Sequence, residues 1–280
     1  MTFQRIAAAL CLLSGLAGFA TSASADQLQD VKARKELLCG VYADVQPFSY
    51  PDPKTRGLVG MDVDLCNAIA KEMGVAATLK PLSVEARIPE LKLGRVDLVV
   101  ANLAYTKSRA EQIQFSNAYY MTKEVLLVKK ADAGKSLKSL EGQRMSSTKG
   151  STSEQAIRVR NGTPVTFQDT GSAFLALQQG KVVGFVTNNM TALNYVRQTK
   201  GTADELAIVP EQMVDEPIAA GLRQGEPAFA AEVNKALVAI EKSGELNRIW
   251  DKWLGPNTLY GIVRTDKVAP ISELKFVALN

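Results

Sequence analysis

Leu91-Lys92-Leu93-Gly94-Arg95-Val96 recurs further along the chain as Leu177-Gln178-Gln179-Gly180-Lys181-Val182. In both copies a helical run meets a glycine able to take the left-handed conformation that ends a helix, and an apolar strand starts two residues later. Working outward from the first copy, apolar runs predict strands over 37–41, 76–82, 96–100 and 124–128. Helical spacing predicts helices over 62–73, 88–93 and 108–114, the first with acids in its opening turn and Gly74 as its stop. The second copy sits in the same grammar, with strands over 142–146, 165–168 and 182–186 and helices over 154–159 and 173–179. This alternation predicts an α/β fold of two similar lobes, each a mainly parallel sheet flanked by helices. The chain enters the second lobe near 122 and returns near 217, after Asp215-Glu216-Pro217. Lobe 1 is thus expected over 26–121 and 217–280, and lobe 2 over 122–216. Helices over 227–242 and 245–254 are expected to pack back on lobe 1, and the tail 256–280 carries little periodicity.

The N-terminus reads as a secretory leader. Arg5 precedes an apolar run over 6–20, and Ala23-Ser24-Ala25 supplies the small residues of a cleavage site, so cleavage is expected before Asp26 and residues 1–25 lie outside the fold. The 280-residue chain less those 25 leaves 255, enough for two lobes and a sizeable core. Removing Arg5 takes the formal charge from +4 to +3, a balance that does not point to nucleic acid, which needs a basic patch. The chain has no histidine, which removes Ser-His-Asp and Cys-His nucleophile systems, zinc-binding HExxH and imidazole general bases together. Cys39 and Cys66 are the two cysteines beyond the leader. Two cysteines without histidine make no ordinary zinc site, so no metal or other cofactor is expected. In an oxidising compartment they form either a disulfide or two buried free thiols.

Ligands of open α/β sheets sit beyond the carboxyl ends of the strands. The candidate positions are therefore Tyr42 and the residues to Phe48, then 101–109, 147–153, 169–172 with Thr170 among them, and 187–189. Ser151-Thr152-Ser153-Glu154 reads as a capping box opening a helix, and such a start offers backbone N–H groups to a carboxylate or phosphate. Thr106-Lys107-Ser108-Arg109 puts two cations at a helix start, against the helix dipole. Either Arg109 grips an anionic ligand with two parallel hydrogen bonds, or Ser108 and Glu111 form a capping box and Arg109 faces solvent. Arg87, just before Pro89, is a further cation at a helix start.

Cys39-Gly40-Val41, Pro47-Phe48-Ser49-Tyr50, Gly60-Met61-Asp62-Val63-Asp64-Leu65 and Ala86-Arg87-Ile88-Pro89 give the chain a specific resemblance. So do Arg109 with Phe115-Ser116, Lys149-Gly150-Ser151-Thr152-Ser153-Glu154, Ser243-Gly244-Glu245 and Trp250-Asp251-Lys252-Trp253. Together they resemble the periplasmic solute-binding proteins of polar amino-acid ABC transporters, the bacterial extracellular family 3, most of all its glutamate/aspartate and general amino-acid branch. The resemblance implies a type II two-lobed fold with two hinge strands, no catalysis, a monomer, an amino acid or related carboxylate in the cleft, and a membrane permease as partner. It implies that Arg109 and the loop Ser151 to Ser153 hold the ligand carboxylate, and that the backbone at Asn102 and Ala104 gives an acceptor and a donor. It further implies that the Tyr42 position reads the side chain. The family usually carries Ser or Thr where Ala104 stands and Asp where Asn188 stands, both of which help hold the ammonium group. Asn188 can accept a hydrogen bond but lacks the charge. Two alternatives remain open here: an enzyme of the cyclohexadienyl dehydratase kind on the same scaffold, with Glu85 as its acid, or a free sensor that docks onto a receptor.

Overall fold

The computed structural model describes residues 26–280; the expected leader, 1–25, lies outside the described residues. The chain begins with α1 (Gln27–Arg34), β1 (Glu36–Tyr42), the short pair β2 (Tyr50–Pro51) and β3 (Leu58–Val59), α2 (Met61–Glu72) and β4 (Ala76–Leu82). It continues through α3 (Arg87–Lys92), β5 (Leu98–Val99), α4 (Lys107–Ala110) and the long β6 (Gln114–Lys129). Then come β7 (Arg144–Thr148), α5 (Thr152–Val159), β8 (Thr163–Phe167), α6 (Thr170–Gln178), β9 (Gly184–Asn188) and α7 (Asn189–Thr199). After β10 (Leu206–Ile208) and β11 (Val214–Leu222), helices α8 (Pro227–Lys242) and α9 (Glu245–Trp253) close the regular structure.

One path of hydrogen bonds runs β4-β1-β5-β11-β6-β9-β7-β8, with β10 beside β6. Its two ends are parallel: β1 with β4 and β5, and β7 with β8 and β9. Between them β6 and β11 pair antiparallel with each other and with the strands flanking them. Two parallel α/β halves are thus joined by a two-stranded ribbon, the two-lobed arrangement that the alternation of strand and helix predicts.

Each lobe has its own core. In the first, Leu37, Leu98, Leu65 and Ile69 pack with Phe229, Val233 and Leu237 of α8 and Trp250 of α9. The second is split by its sheet. Leu126 and Val128 face Ile157 of α5, whereas Val125 and Leu127 face Ala173 and Leu177 of α6. Period-two alternation on a strand covered on both faces makes the whole run apolar. Cys39 of β1 and Cys66 of α2 are joined by a disulfide with Cα atoms 6.5 Å apart. Gly60 precedes α2 with φ 144°, where an added Cβ would run into the Phe48 carbonyl. That close approach lets the Asp62 N–H donate to Phe48 O at 2.9 Å.

Several expectations are corrected. The helix expected over 108–114 is the single turn of α4, because Gln114 already belongs to β6. The strand expected over 96–100 shortens to β5. Helices α1 and α7 and strand β11 were not legible, and neither was the first half of β6. Polar residues interrupt that first half, and β11 holds Pro217, which has no N–H to give the ladder. The tail is irregular but anchored: Ala269 pairs with Ala118, and the Lys107 N–H donates to Leu279 O at 2.9 Å. Among the described residues no helix is long and apolar enough to cross a membrane.

Candidate functional site

The carboxyl ends of the parallel strands in both lobes open onto one small cavity of about 40 Å³. That is room for two or three waters, far below the about 300–1,000 Å³ of a typical small-molecule site, so the lobes must part to admit a solute. From the first lobe the cavity receives Tyr42 at the end of β1, Arg87 at the start of α3, Asn102 after β5, and Arg109 on α4. From the second come Ser151, Thr152 and Ser153 at the start of α5, Thr170 at the start of α6, and Asn188 at the end of β9. The residues singled out at strand ends thus meet in one place, with one exception. Ala104 does not line the cavity; its carbonyl accepts from Arg109 Nη1 at 2.7 Å and is thereby occupied.

Arg109 is buried, so of the two alternatives at this helix start the one that turns it to solvent does not hold. Thr106, not Ser108, caps α4, accepting from the Arg109 N–H at 3.1 Å. The single turn then points the guanidinium inward, and Nη2 crosses the cleft to donate to Gly150 O of the second lobe at 3.0 Å. Burial, followed by the nearby Arg87 charge, pulls its pKa down to about 10, so it stays cationic at neutral pH. Gly150 has φ 74°, and a Cβ there would lie 3.1 Å from Glu85 Cβ across the cleft. Arg87 is pinned by Val84 O at 2.9 Å and Ala101 O at 2.8 Å, and donates to Tyr42 Oη at 3.2 Å.

The expected capping box of Ser151 with Glu154 does not form. Ser151 Oγ turns back to donate to Thr148 O at 2.6 Å, and Glu154 pairs with Arg158 at 2.9 Å. No side chain therefore caps α5, and its first residues, at the positive end of the helix dipole, line the cavity. The hydroxyls of the same turn are spent on the chain itself: Ser153 Oγ donates to Glu124 Oε2 at 2.7 Å and Thr152 Oγ1 to Glu124 Oε1 at 3.4 Å. Asn188 is spent too. Its Oδ1 accepts from the Met190 N–H at 3.0 Å, capping α7, and its Nδ2 donates to Thr122 Oγ1 at 2.6 Å. Asn102, with φ 41°, accepts from Tyr120 Oη.

Sequence reasoning missed Glu124 on β6 and Glu216 on β11, both buried and both lining the cavity. Burial pushes the Glu216 carboxyl up to about 7, and burial with the neighbouring Glu216 holds Glu124 well above the usual carboxylate range. The only sequence signal was an acid at the edge of the apolar run 125–128 and another just before Pro217. Glu85 lies outside the cavity lining, at the rim, in an exposed ion pair with Lys149 at 3.0 Å. A larger groove of about 610 Å³ runs between α5 and the C-terminal tail, but it is an open trough whose polar groups do not converge.

The comparisons agree with this architecture. Residues 37–256 match the model of the bacterial extracellular solute-binding proteins, family 3. The ABC transporter glutamine-binding protein GlnH of Bacillus subtilis (strain 168) is 31% identical over 262 residues, covering 90% of this chain and 93% of that protein. Among solved structures, an ancestral arginine-binding protein bound to arginine superposes with TM-score 0.73 at 35% identity, covering 79% of this chain and 99% of the other. The ancestral amino acid-binding protein AncCDT-1, a precursor of cyclohexadienyl dehydratase, does so with TM-score 0.74 at 30% identity, covering 81% of this chain and 99% of the other. A two-lobed fold, a cleft lined from both lobes and a family match over most of the chain lead to one assignment: this chain belongs to the bacterial extracellular solute-binding proteins, family 3.

Proposed function

We propose that this protein captures an amino acid in the periplasm and delivers it to the membrane permease of an ABC importer, acting as a monomer after its leader is cut before Asp26. The observation that carries this reading is Arg109 of one lobe reaching the uncapped start of α5 in the other. A carboxylate between them would take two charge-assisted bonds from the guanidinium and further bonds from helix N–H groups. Tyr42, Arg87, Asn102 and Thr170 complete the walls. Ligand would bind the open form, and closure about β6 and β11 would then present a distinct surface to the permease. Relatives named for binding glutamine and arginine support this substrate class. The test is calorimetric titration of unfolded and refolded, ligand-stripped protein with each of the twenty standard amino acids. Binding of none, by a chain that regains its fold, overturns the reading.

One observation favours a second reading, an enzyme on this scaffold. A buried carboxyl raised to about 7 is the kind of general acid a dehydration needs, and it is Glu216, not the rim residue Glu85. Turnover of prephenate or arogenate, lost in Glu216→Gln, would establish it. No turnover leaves the binding protein.

A further inference from the structure

The wall of the cavity made by the ribbon is a row of cross-strand neighbours. Glu124 of β6 stands opposite Asn188 of β9 on one side and Val214 of β11 on the other, and Glu216 stands opposite Thr122. Opposed residues share a sheet face, as do alternate residues along a strand. Glu124, Glu216, Thr122 and Asn188 therefore project to the same side. Glu124 and Glu216 are diagonal neighbours, about 7–8 Å apart at the backbone, within reach of each other for side chains of that length.

Three observations give this row a role. Asn188 has both ends of its amide engaged and carries no charge to set against a ligand cation. The hydroxyls of Thr152 and Ser153 hold Glu124, so the second lobe orients a carboxylate of the chain's own. Glu216 lines the cavity at 3% exposure, yet its Oε1 has no hydrogen-bond partner among the described residues. A buried acceptor left unpaired costs free energy until a donor arrives. The groups facing the pair are Arg109 from α4, Arg87 from α3, Tyr42 from β1, Tyr120 from β6, and Thr152 and Ser153 from α5. Two guanidiniums on the first-lobe side and two carboxyls on the ribbon match the two ends of a zwitterion.

We infer that Glu124 and Glu216 form the seat for the ligand's ammonium group, and that its arrival expels a proton the two carboxyls share. Only one O–H bond breaks: the proton leaves for solvent, and the ammonium keeps its own three and donates them to the two carboxylates. Burial of both groups fits a shared proton at neutral pH, which an incoming cation makes unnecessary. This inference rests on the amino-acid reading, and it makes binding proton-coupled: affinity rises with pH as the competing proton is lost.

The experiment is calorimetry near pH 7 in two buffers of different ionisation enthalpy. The probes are the twenty amino acids, the deamino counterparts of glutamine and arginine, and the amines agmatine and putrescine. The wild type should bind an amino acid with net proton release, and its deamino counterpart at least about 30-fold more weakly. Glu124→Gln and Glu216→Gln should lose affinity by about the same factor and release no proton. Infrared difference spectra supply a readout independent of affinity: a protonated-carboxyl band should vanish when the wild type binds and be weakened in ligand-free Glu216→Gln. Amino-acid binding without proton release, or unimpaired in both variants, overturns the seat. If no amino acid binds, the amino-acid reading falls. Proton-releasing capture of agmatine or putrescine would then leave the seat standing, and capture of neither would overturn both.

Discussion

Replacing Glu216 with Gln should flatten the pH dependence of folding stability. The Glu216 carboxyl is shifted from its usual 4.5 up to about 7, chiefly by burial at 3% exposure. A carboxyl raised in the folded state keeps a proton that the unfolded chain has released, so its stabilising contribution is whole below 4.5 and lost as pH climbs through 7. The shift corresponds to about 3 kcal/mol across that window, at about 1.36 kcal/mol per pH unit. Asp62, buried and likewise raised to about 7, acts in the same direction, so the wild type should fall by more than Glu216 alone supplies. The difference between the two proteins isolates the site. Urea denaturation of ligand-stripped protein at about pH 5 and about pH 8, at one ionic strength, measures it. Glu216→Gln should lose about 2–3 kcal/mol less than the wild type between those conditions and be the more stable of the two at the higher pH. Equal slopes in the two proteins would refute the reasoning, because they would mean that Glu216 is already ionised in the folded state at low pH.

Arg109→Ala should weaken amino-acid binding by about 2–5 kcal/mol by calorimetry, since it removes the buried cation and strands the carbonyls of Ala104 and Gly150. Arg109→Lys should recover only part, because a point charge cannot replace a two-pronged donor. Cys39→Ser should cost about 3.5 kcal/mol in guanidinium denaturation, the loop entropy for a separation of 27 residues, and should remove any effect of added reductant. Glu85→Gln breaks an ion pair across the cleft mouth whose side chains are 42% and 52% exposed. It should shift the open-to-closed ratio by no more than about fivefold, an exposed pair being worth under about 1 kcal/mol; single-molecule energy transfer between the lobes reads this directly.

What the sequence determined is local. The glycines after 93 and 179 end helices because only a residue without Cβ takes the left-handed turn cheaply, with φ 68° at both Gly94 and Gly180. The strand over 76–82 and the helix over 227–242 were bounded to the residue, because their apolar spacing and their stops lie within the segments themselves. The strand ends named candidates such as Tyr42, Arg109 and Thr170 for the same reason: chain order fixes which loops lie at the carboxyl edge of a parallel sheet. What only the tertiary structure decided is everything set by pairing across distance. Strand β11 with its Pro217, and the polar half of β6, are strands because each completes the other. Ser151 abandons its cap for a nearby carbonyl, and Thr152 and Ser153 turn to a glutamate 28 and 29 residues earlier in the chain. In the linear chain only their places, at the edge of an apolar run and before Pro217, set Glu124 and Glu216 apart from other acids. Their burial side by side exists only once the two strands are zipped in register and the lobes close over them, since a side chain's solvent exposure is a property of its neighbours in space.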